Sequence, residues 1–148
     1  MRALVARLVL TALVAVFAST AGAQSSALPN PCKLVTTTDV KAVLGTSVGR
    51  GKLQSLGLYQ SCTYTTSKFV TVTVQTRSLS RPDFVKSAKM NPPPVKAISG
   101  VGAPAYYAAG ATLLVWRNGH EATFSIFGAG PALAREVDLA KRALPRLY

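Results

Sequence analysis

The chain has 148 residues, and its 17 Lys and Arg against 5 Asp and Glu give a formal net charge of +12 at pH 7. A single histidine, two cysteines and five acids leave few residues for a metal centre or a catalytic triad, so the composition argues against enzymes built on such clusters. The charge bears on solubility and on attraction to anionic surfaces rather than on the fold.

The first 23 residues are typical of a secretory signal peptide. Arg2 and Arg7 provide a positive start, residues 8–18 are almost entirely apolar, and the small residues Ala21 and Ala23 fit a signal-peptidase site. We therefore predict cleavage after Ala23 and a secreted or periplasmic protein. An uncleaved anchor is the alternative, although the apolar stretch is short for a membrane span.

Cleavage leaves residues 24–148, which is the usual size of one domain. We predict a linker over residues 24–31, followed by a single α+β domain over residues 32–148 with no transmembrane segment. Because Arg2 and Arg7 are lost and all five acids stay, the net charge falls from +12 to about +10 in the mature chain.

Cys32 and Cys62 are the only cysteines, and in an oxidising compartment they are predicted to pair. A bridge that closes a loop of about 30 residues lowers the entropy of the unfolded chain, and the loop-closure model gives a stabilisation of roughly 3.6 kcal/mol. Because Cys32 follows Pro31 and lies nine residues after the predicted cut, a lipid-modified cysteine is not expected.

The first predicted element of the domain is a helix over residues 36–45. Thr36 and Asp39 stand at capping-box spacing, and Gly45 is a natural C-terminal stop. Residues 48–60 follow with three glycines, whose spacing matches no nucleotide-binding motif. They predict a mobile loop or a weak edge strand.

Residues 61–66 and 69–76 predict two strands joined by a hairpin, because valines and threonines alternate along the second of them. A second helix is predicted to begin after Ser80, which is placed to cap it, and to end before the prolines at 92–94. Residues 95–98 predict a short edge strand.

Asn118 and Gly119 give the strongest local signal in the chain. They separate two apolar runs, residues 111–116 and 122–127, and Asn-Gly favours a type I′ hairpin because both of its positions need positive φ. The resulting register pairs Leu113 with Phe124, Val115 with Ala122, Trp116 with Glu121, and Arg117 with His120.

The last predicted helix runs from Pro131 to about Leu144. Its apolar residues line one face, and we expect Glu136 and Asp138 to be exposed charges near its start, where they suit the helix dipole.

The hairpin register places Leu114 and Trp116 on the face of the sheet opposite the predicted core. If no helix covers that face, an aromatic side chain lies beside a cation at the hairpin tip, as in many binding sites. The candidate binding surface therefore consists of Leu114, Trp116, Arg117, His120 and Glu121. The alternative is that a helix packs there and makes Trp116 part of the core.

His120 would have to serve any Ser–His–Asp hydrolase or zinc site, since there is no other histidine. No Gly-x-Ser-x-Gly motif is present, and the neighbours His120 and Glu121 point to opposite faces of a strand. We therefore predict no catalytic residue, metal ligand or cofactor, and do not expect an enzyme. A small hydrolase that uses His120 is the weakest alternative.

The basic residues do not form one tract. They lie on separate elements, as Arg50 and Lys52, Lys86 and Lys89, and Lys141, Arg142 and Arg146. Aromatic residues are not interleaved with them as in single-strand nucleic-acid binding proteins, so specific nucleic-acid binding is not expected.

Three short motifs resemble a known group of proteins. Residues 31–36 (Pro-Cys-Lys-Leu-Val-Thr), 62–64 (Cys-Thr-Tyr) and 100–106 (Gly-Val-Gly-Ala-Pro-Ala-Tyr) are similar to small exported bacterial proteins, mainly actinobacterial lipoproteins, that open Pro-Cys-x-Leu-Leu-Thr and have no known function. More distantly, the arrangement resembles extracytoplasmic sensor domains of bacterial receptor kinases. The resemblance covers roughly residues 31–144; Val35 replaces the second leucine, and the chain lacks a lipobox cysteine.

The resemblance implies an α+β domain with an antiparallel sheet and a Cys32–Cys62 disulfide, and it implies no catalytic residues. We predict an antiparallel sheet of about five or six strands with two or three helices packed on one face. The predicted function is a non-enzymatic binding module that contacts an envelope component or another exported protein. The alternative is a carrier of a small ligand or lipid, which needs an apolar cavity between sheet and helices.

Overall fold

The computed structural model describes residues 27–90, 95–108 and 111–148. The predicted signal peptide and the first residues of the predicted linker lie outside this part of the chain. The elements, in chain order, are α1 (Pro31–Leu34), α2 (Thr37–Leu44), β1 (Lys52–Leu56), β2 (Tyr59–Thr65), β3 (Thr71–Ser78), α3 (Arg81–Met90), β4 (Lys96–Ala97), β5 (Ala105–Ala108), β6 (Thr112–Arg117), β7 (His120–Phe127) and α4 (Leu133–Ala143), which continues into a 3₁₀ turn over Leu144–Arg146.

The strands form one antiparallel sheet in the order β1-β2-β3-β7-β6-β5-β4. The α+β class is therefore confirmed, but the sheet has seven strands rather than five or six. β1 accounts for part of the difference: residues 48–60, predicted as a mobile loop or a weak edge strand, contain this edge strand, and all five of its residues are exposed. Because β1 buries neither face, its sequence lacks the alternation of apolar and polar residues that indicates a strand. None of the helices in the described part of the chain is long and apolar enough to cross a membrane.

Helices lie on both faces of the sheet, which corrects the prediction that they pack on one. α1, α2 and α4 cover the main core, where Leu113, Val115 and Phe124 are almost completely buried. α3 packs on the other face, and its Phe84 and Ala88 form a second, smaller cluster with neighbours on β5 and β6. A strand presents alternate residues to opposite faces, so β6 contributes to both clusters.

Two local predictions are confirmed residue by residue. Thr36 Oγ1 accepts a hydrogen bond from the Asp39 N–H while the Asp39 carboxylate accepts one from the Thr36 N–H, which completes the capping box of α2. Asn118 and Gly119 have φ of 51° and 83°, as a type I′ turn requires. The register of β6 and β7 is the predicted one over its whole length.

The predicted disulfide is present and joins Cys32 in α1 to Cys62 in β2. α1 has only four residues, too few to be stable by itself, so its position depends on this bridge and on its packing against the sheet. The Tyr64 hydroxyl donates to the carbonyl of Val35 just beyond α1 and provides a second attachment.

Gly51 lies against Tyr64 and Cys62, and there is no room for a side chain at this position. A Cβ atom there would sit 2.6 Å from Tyr64 Cε1 and 2.7 Å from Cys62 Sγ, so one of the buried groups would have to move. We expect Gly51→Ala to lower the free energy of unfolding by about 1–2 kcal/mol, as overpacking does in other interiors.

Urea denaturation of residues 24–148 measures this effect, with Ser55→Ala as the control because Ser55 is exposed on the neighbouring β1. Equal unfolding midpoints for Gly51→Ala and the control would mean that the chain at the start of β1 shifts away from Tyr64 and Cys62 without loss of stability.

Candidate functional site

The face predicted to bind a partner is covered in part by α3. Leu114 is only 8 % exposed and packs against Phe84, and Trp116 is half-buried at the edge of the same cluster. The Trp116 indole N–H donates to the carbonyl of Leu79 at 2.7 Å, so its polar atom is already used inside the protein. The alternative considered from the sequence, a helix on this face, is therefore what the structure shows.

Glu121 is 3 % exposed and is held in an ion pair with Arg77 of β3. Both carboxylate oxygens accept from the guanidinium, at 2.9 and 2.7 Å, and Arg77 also donates to the Tyr59 hydroxyl and to Ser87 Oγ at 3.1 Å each. The bidentate contact with Glu121 raises the pKa of Arg77. This network joins β2, β3 and β7 to α3, and both Glu121 oxygens are engaged in it.

His120 is buried beside Ser78, with 3.5 Å between its Nδ1 and Ser78 Oγ. Burial lowers the pKa of His120 below its ordinary 6.5, so the ring is neutral at pH 7. Arg117, its partner across the hairpin, is half-buried. Three of the five residues predicted as a surface, namely Leu114, His120 and Glu121, are thus buried.

Glu136, expected as an exposed charge of the last helix, is fully buried instead. One of its oxygens, Oε1, accepts from the backbone N–H of Ile126 at 3.0 Å, and Oε2 has no partner in the described part of the chain. Burial raises the pKa of Glu136 to about 7, and the Ile126 contact offsets only part of that rise. The pairing between β6 and β7 ends at Thr112 and Ser125, so the next residue of β7, Ile126, lies beyond it. Glu136 therefore supplies the hydrogen-bond acceptor that a longer β6 would have supplied.

The other three acids, Asp39, Asp83 and Asp138, each contact a side chain of the protein. Burial alone would raise the pKa of Asp39, but hydrogen bonds from Arg146, at 2.7 Å, and from Thr36 hold it below its usual value. Asp83 accepts from Ser80 at the start of α3, and Asp138 lies 3.8 Å from Arg142. Asp83 and Asp138 are the only acids exposed in the described part of the chain, so most of its exposed cations have no acid to balance them.

Ten exposed cations have no carboxylate oxygen within 4 Å among the described residues. They are Lys33, Lys41, Arg50, Lys52, Lys68, Arg81, Lys86, Lys89, Lys96 and Lys141. Of the basic clusters seen in the sequence, Arg142 and Arg146 are paired with acids, whereas the other members remain free. The candidate functional site is therefore an unbalanced cationic surface that extends over several elements.

Several clefts lie on the surface of the described residues. One of about 510 Å³ lies beside α1 and the start of α2, and the exposed cations Lys33 and Arg50 line it together with Leu53. Another, of about 390 Å³, lies on the α3 side of the sheet around the Arg77–Glu121 pair. A third cleft, of about 370 Å³, lies at the β1–β2 turn and is lined by Leu28, Leu58 and Leu79 beside Arg77. The carrier alternative needs an apolar cavity between the sheet and the helices, whereas each of these three clefts contains a charged residue.

Across residues 27–90, 95–108 and 111–148, no three His, Cys, Asp or Glu side chains are grouped so that they could hold a metal ion. Comparison with known proteins gives no match to a family model, to a curated protein or to a solved structure. Function is therefore inferred from the chemistry of the chain itself.

Proposed function

We propose that the protein is an exported, non-enzymatic binding module whose cationic surface contacts an anionic component of the cell envelope. The observation that carries the proposal is the imbalance of charge at the surface. All five acids are paired, capped or buried, whereas ten exposed Lys and Arg side chains have no acidic neighbour in the described part of the chain. Exposed positive charges therefore greatly outnumber the two exposed acids, Asp83 and Asp138.

An extracytoplasmic location supports the choice of partner. The disulfide fits an oxidising compartment, and the N-terminal sequence has the features of a secretory signal. Outside the cytoplasm, the anionic surfaces available to such a protein are phospholipid headgroups and wall polymers. Exposed cations bind them through long-range attraction that salt screens over about 10 Å at 0.1 M.

The test is sedimentation of residues 24–148 with isolated cell envelope at low and high salt. We expect retention at low salt, and we expect a triple variant, Lys33→Gln with Arg50→Gln and Lys52→Gln, to be retained at least tenfold less, since each basic residue near an anionic surface contributes about 1 kcal/mol.

The matched control changes Lys33 and Lys52 to Arg, which keeps every charge. A second triple variant, with Lys86, Lys89 and Lys96 changed to Gln, measures how much the α3 side contributes. If wild-type protein is not retained, or if salt and both triple variants leave retention unchanged, the charge has no role in binding and the proposal is wrong.

A further inference from the structure

Two phenylalanines are exposed at one end of the sheet, away from the residues discussed above. Phe69 lies in the turn between β2 and β3 and is 87 % exposed, and Phe127, the last residue of β7, is 51 % exposed. They are close together, because Phe127 pairs with Thr71 and a Cβ atom on Gly128 would lie 3.2 Å from the carbonyl oxygen of Phe69. Neither side chain belongs to the core.

The turn that carries Phe69 is firmly held. The hydroxyl of the buried Thr66 accepts from the N–H groups of Lys68 and Val70, at 3.2 and 3.1 Å. The backbone of Thr66 bonds to Phe69 and Val70 at 3.1 and 3.0 Å. Phe69 nevertheless has φ of 59°, a conformation that a bulky side chain rarely adopts. Strain of this kind, in a residue that contributes nothing to packing, points to a role in binding.

The surroundings of the two rings are polar and cationic. Lys68 is exposed next to Phe69, and Lys52 lies on the same sheet face as Phe127, one row further from the end. Between them are hydroxyl groups from two strands: Thr63, Thr65, Thr71 and Thr73. These rows contain no carboxylate. An apolar tip bordered by lysines and hydroxyls complements a layer of lipid phosphates above hydrocarbon.

We infer that Phe69 and Phe127 insert into the interface of a bilayer that contains anionic phospholipid, with Lys68 and Lys52 against the headgroups. The inference rests on the proposed function and names the envelope component. A bilayer suits this site better than a folded partner, because a Phe side chain with 87 % of its surface exposed projects from the protein instead of lining a groove.

Vesicle flotation of residues 24–148, with its disulfide intact, tests the inference, using phosphatidylcholine vesicles with and without phosphatidylglycerol. The variant Phe69→Asn with Phe127→Thr should fold normally, since Asn tolerates positive φ and Thr suits a strand. We expect it to bind the anionic vesicles at least tenfold more weakly. The matched control is Leu58→Ser, because Leu58 is 82 % exposed in the β1–β2 turn at the opposite end of the sheet.

Fluorescence gives a second readout. A Phe69→Trp variant should shift its emission to the blue when anionic vesicles are added, and Leu58→Trp should not. If the double Phe variant binds like wild type and Phe69→Trp shows no shift, charge alone holds the protein to lipid and insertion is wrong, while the proposed function stands. Retention by lipid-free wall polymer but not by vesicles likewise overturns insertion alone. Failure with vesicles and with envelope overturns both.

Discussion

Reduction of the Cys32–Cys62 disulfide is expected to lower the free energy of unfolding by about 3–4 kcal/mol, the largest effect predicted for this chain. The bridge joins residues 30 apart and thereby restricts the unfolded chain. It also holds the four-residue helix α1, which is too short to keep its conformation alone. Without the bridge we expect α1 to detach from β2 and to take Lys33 away from the cleft that it lines.

Urea denaturation of residues 24–148 with and without reductant measures this loss without changing any side chain. The double variant Cys32→Ala with Cys62→Ala is the control for thiol chemistry, and it should resemble the reduced protein. Cys62 is fully buried, so the variant should be slightly less stable than the reduced protein. Identical midpoints for oxidised and reduced protein would show that packing alone holds α1.

The parts of the fold that the sequence predicted correctly are those fixed by neighbouring residues. Asn118 and Gly119 determine their own turn, and a two-residue turn determines the register of both strands. Thr36 and Asp39 likewise cap α2 through atoms three residues apart. The disulfide was predictable for another reason, because two cysteines in an oxidising compartment have one way to pair within a chain.

The position of α3 could not be derived in the same way. Phe84 and Ala88 show that one side of the helix is buried, but not on which face of the sheet. The signal lay in β6, where Leu114 and Trp116 alternate with the core residues Leu113 and Val115. Apolar residues on both faces of a strand indicate that both faces are covered.

The exposure of Phe69 could not be predicted from the sequence for a related reason. Phe69 stood at the start of a predicted strand, where an aromatic residue usually packs, and its positive φ breaks the alternation that would have oriented it. Glu136 was missed because its place in the first turn of a helix has an ordinary explanation in the helix dipole. Its partner, the Ile126 N–H, lies on another element that the sequence does not relate to it.

Glu136 should make the protein less stable as the pH rises from about 4.5 to about 7. The pKa of this carboxyl is raised from 4.5 in the unfolded chain to about 7 in the folded protein. Below pH 4.5 both states hold the proton and there is no penalty. Between the two values only the unfolded state releases it, so stability falls by up to about 1.4 kcal/mol per pH unit, and by roughly 3 kcal/mol in total.

Other groups act in different directions. His120, with its pKa lowered by burial, makes the protein less stable as the pH falls below 6.5, and it therefore opposes Glu136 in part of the same range. Asp39, with its pKa held below 3.8 by Arg146 and Thr36, makes the protein less stable only as the pH falls below 3.8, because the unfolded chain then takes up the proton first. A pH profile of wild-type protein alone would mix these effects, so the difference between wild type and Glu136→Gln is the informative quantity.

We expect Glu136→Gln to match wild type near pH 4.5 and to be more stable by roughly 2–3 kcal/mol above pH 7, where wild type carries a buried charge with one unpartnered oxygen. The amide oxygen can still accept from Ile126, so the contact that closes the sheet survives. Asp138→Asn, on an exposed residue of the same helix, should leave the profile unchanged. Parallel profiles for wild type and Glu136→Gln would mean that Glu136 reaches water in the folded protein and titrates as an ordinary carboxyl.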